Sequence, residues 1–181
     1  MTKLECSKTL PYSSDDLFTL VMDINSYPEF LPWCKDAKII SKTIVSKKET
    51  QEETHFIADL TIQFKVFSYK YRSKIIAINQ IDQNLKQEEG SISTIDITAI
   101  NGPFKYLKSS WVFKQDKQHV QQSASKTDST LVQFALSFEF SSLLLQTLIS
   151  PLFKQASKKI IDAFEKRSEL VLKSSQKLSP K

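Results

Sequence analysis

The feature that most constrains the fold is a change in the spacing of apolar residues along the 181-residue chain. Near both termini they recur at helical spacing, whereas between residues 56 and 140 they fall mainly at every second position. Period-two alternation is typical of strands with one buried and one solvated face, as in an antiparallel sheet. The chain is therefore predicted to be an α+β domain with helices on one face of that sheet.

About six to seven strands are predicted, with turns or polar loops between them. Their ranges are Leu4–Leu10, Ile39–Val45, Phe56–Val66, Tyr69–Ile78, Ile92–Ile100, Tyr106–Phe113 and Val132–Phe140. The polar residues 115–130 are predicted to form a long hairpin connection. Two apolar faces are expected to border one common space, formed by Ala58, Leu60, Ile62 and Phe64 on one strand and by Phe134, Leu136 and Phe138 on another.

Helices are predicted before and after the sheet. Ser13 or Ser14 is a suitable N-cap for a first helix, which the segment Tyr27–Cys34 follows as a bent, short-helical connector with two prolines. A long C-terminal helix is predicted from an apolar stripe between Leu145 and Phe164, kinked or started at Pro151. We expect a single domain over residues 1–173 and a disordered tail over 174–181.

Composition argues against several functional classes. The chain has two glycines, so a P-loop and a GxGxxG dinucleotide turn are excluded. Cys6 and Cys34 form no CxxC pair, and His55 and His119 are the only histidines, so neither a metal site nor a histidine-dependent catalytic site is predicted. Cys34 is interpreted as a small buried apolar residue rather than a nucleophile.

The net charge of +5 is unevenly placed, because residues 154–181 alone carry 8 basic and 3 acidic residues. Only Arg72 and Arg167 are arginines among 25 basic residues, and base readout favours arginine, so sequence-specific nucleic-acid binding is not predicted. The lysines are interpreted first as a solvated helix face and second as a membrane-docking surface. With no signal sequence and no apolar run of membrane-spanning length, we expect a cytoplasmic protein, with peripheral contact at a membrane surface as a further hypothesis.

Three sequence blocks carry a resemblance to a known family. They are Leu10–Phe18 with Tyr27–Cys34, then Asn101–Phe104 with the following aromatic residues, and then Val132–Phe140 with Ala163–Arg167. Together they resemble the coenzyme Q-binding START-domain family, which includes the bacterial ribosome association toxins. The resemblance implies a helix-grip fold, a curved sheet packed on a long C-terminal helix with a hydrophobic tunnel between them. It implies no catalytic centre, and it implies ubiquinone as the bound ligand.

The resemblance also implies which residues form the tunnel and its portal. These are Tyr27, Phe30, Leu31, Trp33, Leu60, Ile62, Phe64, Phe104, Trp111, Phe134, Leu136, Phe138, Leu148, Leu152, Phe153 and Ile160. Periodicity alone favours a solid core at the same positions, and Trp33, Phe30 and Tyr27 are equally suited to anchor the first helix.

Three functions follow as hypotheses. The leading one is non-enzymatic binding of a long-chain isoprenoid quinone or similar lipid that supports respiratory electron transport. The alternative is a ribosome association toxin that binds ribosomal subunits and blocks their joining. A cyclase-type enzyme is the least favoured, because the sequence has few histidines and no paired-carboxylate motif.

Overall fold

The alternating segments of the chain pair into one antiparallel sheet. A computed structural model describes residues 1–64, 67–80, 92–115, 129–147 and 156–176. The strands are β1 (Thr2–Leu10), β2 (Cys34–Lys48), β3 (Gln51–Phe64), β4 (Phe67–Gln80), β5 (Ile92–Asn101), β6 (Phe104–Gln115) and β7 (Thr130–Phe140). Their order across the sheet is β1-β7-β6-β5-β4-β3-β2, so β1 and β2 are the edges. Every neighbouring pair is antiparallel, which confirms the predicted sheet.

Several strands are longer than alternation predicted. β3 begins five residues before Phe56, and its polar start pairs with the end of β4, as in Gln51 with Gln80. β2 reaches from Cys34 to Lys48 and is interrupted by three register shifts. Backbone hydrogen bonds extend a strand whether or not its side chains are buried, so apolar periodicity marks only the part of a strand that faces the core.

The helices lie where the sequence placed them. α1 (Ser14–Met22) is capped by Ser13, whose hydroxyl accepts a hydrogen bond from the Asp16 amide, and after a 3-10 turn it is followed by α2 (Tyr27–Phe30). Residues 143–147 are helical, and α3 (Ala156–Gln176) is the long C-terminal helix. This helix continues three residues beyond Lys173, the predicted end of the domain. The predictions for Pro151 and for most of the loop at 115–130 fall outside the described residues.

Helix α1 fills the space above one end of the sheet. Leu17, Leu20 and Val21 are buried, and the Phe18 ring packs edge-on against Phe113 with centroids 5.9 Å apart. Phe113 is completely buried. No helix in the described part of the chain is long and apolar enough to cross a membrane.

The outer face of the sheet carries an ion-pair cluster around Asp59. Alternation places this carboxylate on the polar side of β3, yet its side chain is only 8% exposed. Arg72 donates two hydrogen bonds to it, at 2.6 and 3.0 Å, and the Lys70 ammonium lies 3.0 Å away. These bonds, those from Arg72 foremost, hold the pKa of Asp59 well below its usual range. The outer face is therefore stabilised by charge pairing at a position that alternation assigned to solvent.

Candidate functional site

At the end of the sheet away from α1, the inner face does not close against the C-terminal helix. A cavity of about 140 Å³ remains between strands β3 to β7, the connector after α2, and helix α3. Its lining consists of Tyr27, Leu31, Pro32, Trp33, Cys34, Leu60, Ile62, Phe64, Tyr71, Ile97, Phe104, Leu107, Ser109, Trp111, Phe134, Leu136, Ile160 and Phe164. An apolar space of roughly 150 Å³ accommodates a benzene-sized ring, so this cavity fits a single ring.

The connector between α2 and β2 covers part of the cavity through Trp33. This residue has a φ of 65°, a left-handed conformation that bulky residues rarely adopt. Its carbonyl accepts a 2.8 Å hydrogen bond from the Gln63 amide, and its ring lies 5.0 Å from that of Phe64. The Lys159 ammonium of α3 sits 5.4 Å from the Trp33 ring centroid. Contacts to β3 and α3 thus offset the backbone strain and fix the indole over the cavity.

Aromatic packing joins α2 to the C-terminal helix. Phe164 meets Tyr27 and Phe30 edge-on, with centroids 5.6 and 5.0 Å away. Arg167 stands over the Phe30 ring and forms a 2.9 Å ion pair with Glu29. Helix α2 is therefore tied to α3 by both apolar and charged contacts.

The turn between β5 and β6 explains the Asn101–Phe104 block. Gly102 has a φ of 123°, and a Cβ atom there would lie 2.4 Å from the Tyr71 Cβ. Only glycine permits this close approach. The Tyr71 ring then packs edge-on against Phe104, with centroids 5.4 Å apart. The block thereby fixes Tyr71 at the cavity wall.

Polar groups in the lining are few and uncharged. Burial raises the pKa of the Cys34 thiol to about 11 and also raises the pKa values of Tyr27 and Tyr71, so all three are protonated at neutral pH. The Tyr27 hydroxyl donates to the Val21 carbonyl. Among the lining residues described, none is acidic, basic or a histidine.

The structure brings most of the predicted tunnel residues together. Eleven of them line the cavity: Tyr27, Leu31, Trp33, Leu60, Ile62, Phe64, Phe104, Trp111, Phe134, Leu136 and Ile160. Leu148, Leu152 and Phe153 lie outside the described residues. Whether the eleven bind a ligand stays a prediction.

Three residues expected at the apolar space lie elsewhere. Phe30 packs between Tyr27 and Phe164 outside the lining. Phe138 is fully buried against Phe140, and Ala58 is fully buried on β3. Phe138 and Ala58 point to the inner face as predicted, but neighbouring side chains cover them, because alternation gives the face of a residue and not what packs above it.

Several lining residues were not predicted from the sequence, including Tyr71, Ile97, Leu107 and Ser109. A signal for Tyr71 was present, because Lys70, Arg72 and Lys74 alternate along the predicted strand Tyr69–Ile78, and the residues between such charged side chains point to the opposite, inner face. Ser109 has no such signal of function, since a serine on an inner face reads only as a break in the apolar pattern.

No cluster of three or more potential metal ligands occurs within the described ranges. The His55 Nε2 atom lies 2.7 Å from a carboxylate oxygen of Glu53 on the same strand, and His55 is not among the residues that line the cavity.

The chain is similar in sequence to named proteins and in fold to solved structures. The chain is 40% identical over 173 residues to the ribosome association toxin RatA of Rickettsia prowazekii, covering 96% of this chain and all of the relative. It is 27% identical to the mitochondrial coenzyme Q-binding protein COQ10 homolog B of Xenopus laevis, covering 90% of this chain and 56% of that protein. A START superfamily protein from Mycobacterium smegmatis has the same fold, with a TM-score of 0.57 at 16% identity over 93% of this chain and 98% of the other.

The match to the corresponding family extends across the site. Residues 10–165, which include α1, all the cavity-lining strands and the first half of α3, match the family described as polyketide cyclase / dehydrase and lipid transport. The seven-stranded sheet and the long C-terminal helix are the helix-grip architecture that the sequence predicted. The chain belongs to this START-like family of polyketide cyclases, dehydrases and lipid-transport proteins.

Proposed function

We propose that this protein binds, without catalysing a reaction, a lipid whose ring-sized headgroup enters the cavity, and that the lipid is an isoprenoid quinone such as ubiquinone. The observation that carries the proposal is the cavity itself, which is lined almost entirely by apolar and aromatic side chains. Such a lining favours an uncharged apolar group. The relative named as a coenzyme Q-binding protein supports the choice of quinone.

The size of the cavity changes one part of the sequence-based hypothesis. About 140 Å³ holds a ring but not a long isoprenoid tail, so the tail extends out of the cavity. Exposed apolar residues lie close to the ends of the cavity-lining strands: Phe67 begins β4, Ile100 is near the end of β5, and Leu143 follows β7. The end of β7 is joined to the β5–β6 turn, because the Ser141 amide donates a hydrogen bond to the Pro103 carbonyl. The exposed side chains offer an apolar surface for the tail or for contact with a lipid bilayer.

A binding role without catalysis agrees with the chemistry of the lining. General acid–base catalysis needs a group whose protonation state changes near neutral pH. Nucleophilic catalysis by a cysteine needs its thiolate form. The raised pKa values of Cys34, Tyr27 and Tyr71 keep these groups protonated. We therefore assign the cavity a binding role.

The direct test is mass spectrometry of an organic extract of protein purified from quinone-producing cells. We expect wild-type protein to carry quinone and the variant Ile97→Phe, which fills the cavity from β5, to carry none while melting at a similar temperature. Absence of quinone from the wild-type extract, together with failure to bind added quinone, would refute the proposal.

A second test concerns the indole over the cavity. Trp33→Ala is expected to lose quinone retention, because the side chain covers the site and contacts Phe64. Thermal melting is measured alongside, and Leu31→Ala provides a milder change in the same connector. If both variants melt like wild type and retain the same amount of quinone, the connector is not part of the site.

Ribosome association is the second candidate function, favoured by the 40% identity over almost the whole chain to a protein named as a ribosome association toxin. Lys158 and Lys166 are exposed on α3 and suited to phosphate contact, whereas Lys159 is engaged by Trp33. Co-sedimentation with ribosomal subunits should weaken steeply with salt if phosphate contacts carry the binding.

The charge-reversal test therefore uses Lys158→Glu with Lys166→Glu. Its matched control reverses Lys74 and Lys114, which are exposed on the outer sheet face. We expect the α3 pair to abolish co-sedimentation and the control pair to leave it unchanged. Equal effects of the two pairs would show that general charge, and not the α3 surface, governs binding.

A further inference from the structure

We propose that the Tyr71 hydroxyl donates a hydrogen bond to an uncharged acceptor oxygen on the ring of the bound lipid, so that the cavity selects a carbonyl-bearing ring over a hydrocarbon ring. This inference rests on the proposed lipid-binding function and assigns the residue that recognises the headgroup. Tyr71 acts here as a specificity determinant.

The Tyr71 hydroxyl has unused hydrogen-bonding capacity. The Tyr71 side chain lines the cavity, and no described residue forms a hydrogen bond with its hydroxyl. Tyrosine hydroxyls at apolar sites usually have a hydrogen-bond partner. The Tyr27 hydroxyl in the same lining already donates to the Val21 carbonyl, so its donor is used within the protein. Tyr71 is thus the phenol whose donor is available to a ligand.

The Tyr71 ring is held in place before any ligand binds. Gly102 approaches its Cβ so closely that no other residue fits there, and Phe104 packs against the ring edge-on. A donor fixed in this way loses little conformational entropy on binding, which favours affinity and selectivity.

The lining of the cavity favours an uncharged acceptor group on the ligand. No described lining residue is a cation, so a carboxylate or phosphate in the cavity would be buried without a counter-charge. The remaining lining hydroxyl, that of Ser109 on β6, also has no hydrogen-bond partner among the described residues and offers a second donor. Two neutral donors in an apolar cavity suit a ring with neutral carbonyl oxygens.

The experiment compares two ligands with the same decyl chain. Decylubiquinone carries carbonyl oxygens on its ring, whereas decylbenzene carries no acceptor. Binding of decylubiquinone is followed by quenching of the tryptophan fluorescence of Trp33 and Trp111, which line the cavity, and decylbenzene is measured by its competition. The variant is Tyr71→Phe, and Ser109→Ala tests the second donor.

Tyr12→Phe is the matched control, because it too removes a tyrosine hydroxyl that has no hydrogen-bond partner among the described residues, but at a position outside the cavity lining. We expect Tyr71→Phe to weaken decylubiquinone binding about tenfold, the effect of one lost hydrogen bond, while decylbenzene affinity changes less than about twofold. Tyr12→Phe should change neither affinity.

Unchanged decylubiquinone affinity in Tyr71→Phe would overturn the inference. Equal weakening for both ligands would also overturn it, because it would reveal a structural role for Tyr71. If wild-type protein binds neither ligand, the proposed lipid-binding function itself fails, an outcome distinct from the other two.

Discussion

The inner face of the sheet has two ends that carry the same alternation of apolar residues but pack differently. At one end, which we call the packed end, α1 packs on β5 and β6, and Phe113, Ile95 and Val132 are at most 3% exposed. At the other, the cavity end, Ile62, Ile97 and Phe104 face the cavity and remain partly accessible. On β5 the change occurs within two residues, between Ile95 and Ile97.

The difference comes from the elements above the sheet and not from the sheet itself. Helix α1 inserts Leu17, Phe18 and Val21 directly onto the packed end. The cavity end is covered by the connector and by α3, which approach it through large rings such as Trp33 and Phe164. Between these rings and the inner face of the sheet, a space of about 140 Å³ stays unfilled. The same alternation of apolar residues thus produces a filled core at one end and a cavity at the other.

The largest difference between the ends is expected for truncation of a phenylalanine. Phe113→Ala should lower the free energy of unfolding by about 3–5 kcal/mol, because it opens a new cavity in a filled core. Phe104→Ala should lower it by only about 2 kcal/mol, because Phe104 already borders empty space. Urea-induced unfolding measures both, and equal losses would show that the cavity end is packed as tightly as the other.

Enlarging one isoleucine at each end of the sheet tests directly whether the space above it is filled. Ile95→Phe should destabilise the protein by roughly 1–3 kcal/mol through overpacking. Ile97→Phe, two residues along the same strand, should cost less than about 1 kcal/mol, because its added ring enters the cavity. Thermal and urea unfolding measure the stability of the two variants relative to wild type. A cost for Ile97→Phe as large as that for Ile95→Phe would mean that the cavity does not accept a ring.

Removing a buried hydroxyl should have a smaller effect and the opposite sign. The Tyr12 hydroxyl, just before α1, is buried and has no hydrogen-bond partner in the part of the chain that the structure describes. Tyr12→Phe should therefore stabilise the protein by about 1 kcal/mol. Tyr71→Phe should leave stability nearly unchanged, since that hydroxyl is not among the buried polar atoms and has no hydrogen bond to a described residue to lose. Chemical unfolding in the absence of ligand tests the pair, and a loss of stability in Tyr12→Phe would contradict the assignment.

The smallest effect concerns the outer face, which is common to both ends. The pKa of Asp59 in the folded protein lies below its value of about 3.9 in unfolded chains. The ion pairs of Asp59 therefore stabilise the folded protein fully above about pH 4, and this stabilisation is lost as the pH falls through the folded pKa. Asp59→Asn should lower the Tm by about 2–3 °C at pH 7, with the difference shrinking below about pH 4.

The control for this last experiment is Asp96→Asn, an exposed acidic residue on the same face. It should leave the melting temperature unchanged across the same pH range. A pH-independent difference between wild type and Asp59→Asn would show that the carboxylate charge is not the stabilising feature.

Much of this architecture was predictable because burial leaves a periodic record in the sequence. The alternation from Phe56 to Phe64 and from Val132 to Phe140 identified the inner faces of β3 and β7. The pair Ser13 and Ser14 identified the start of α1, and the structure selects Ser13 as the cap. The polar half of β3 was not predicted, because Gln51–His55 is held by backbone pairing with β4 and has no apolar period.

The candidate site was predictable only in part. The sequence, with its family resemblance, named eleven of the cavity residues, but it also included Phe30 and Phe138, which pack outside the lining. Tyr71 was not predicted as a site residue because its place between Lys70 and Arg72 indicates only an inward direction and carries no sign of the turn at Gly102 that holds its ring. Such contacts join residues about thirty positions apart and leave no local pattern.

The sequence by itself determined the order of helices and strands, the face of each strand that is buried and the family to which the chain is similar, because these depend on local periodicity and on contiguous motifs. The tertiary structure alone decided that the inner face is filled at one end and open at the other, that the open space has the size of a ring, and that Tyr71, whose hydroxyl has no described hydrogen-bond partner, lines it. A cavity is the volume that distant side chains fail to fill, and its existence depends on how those side chains meet across the fold.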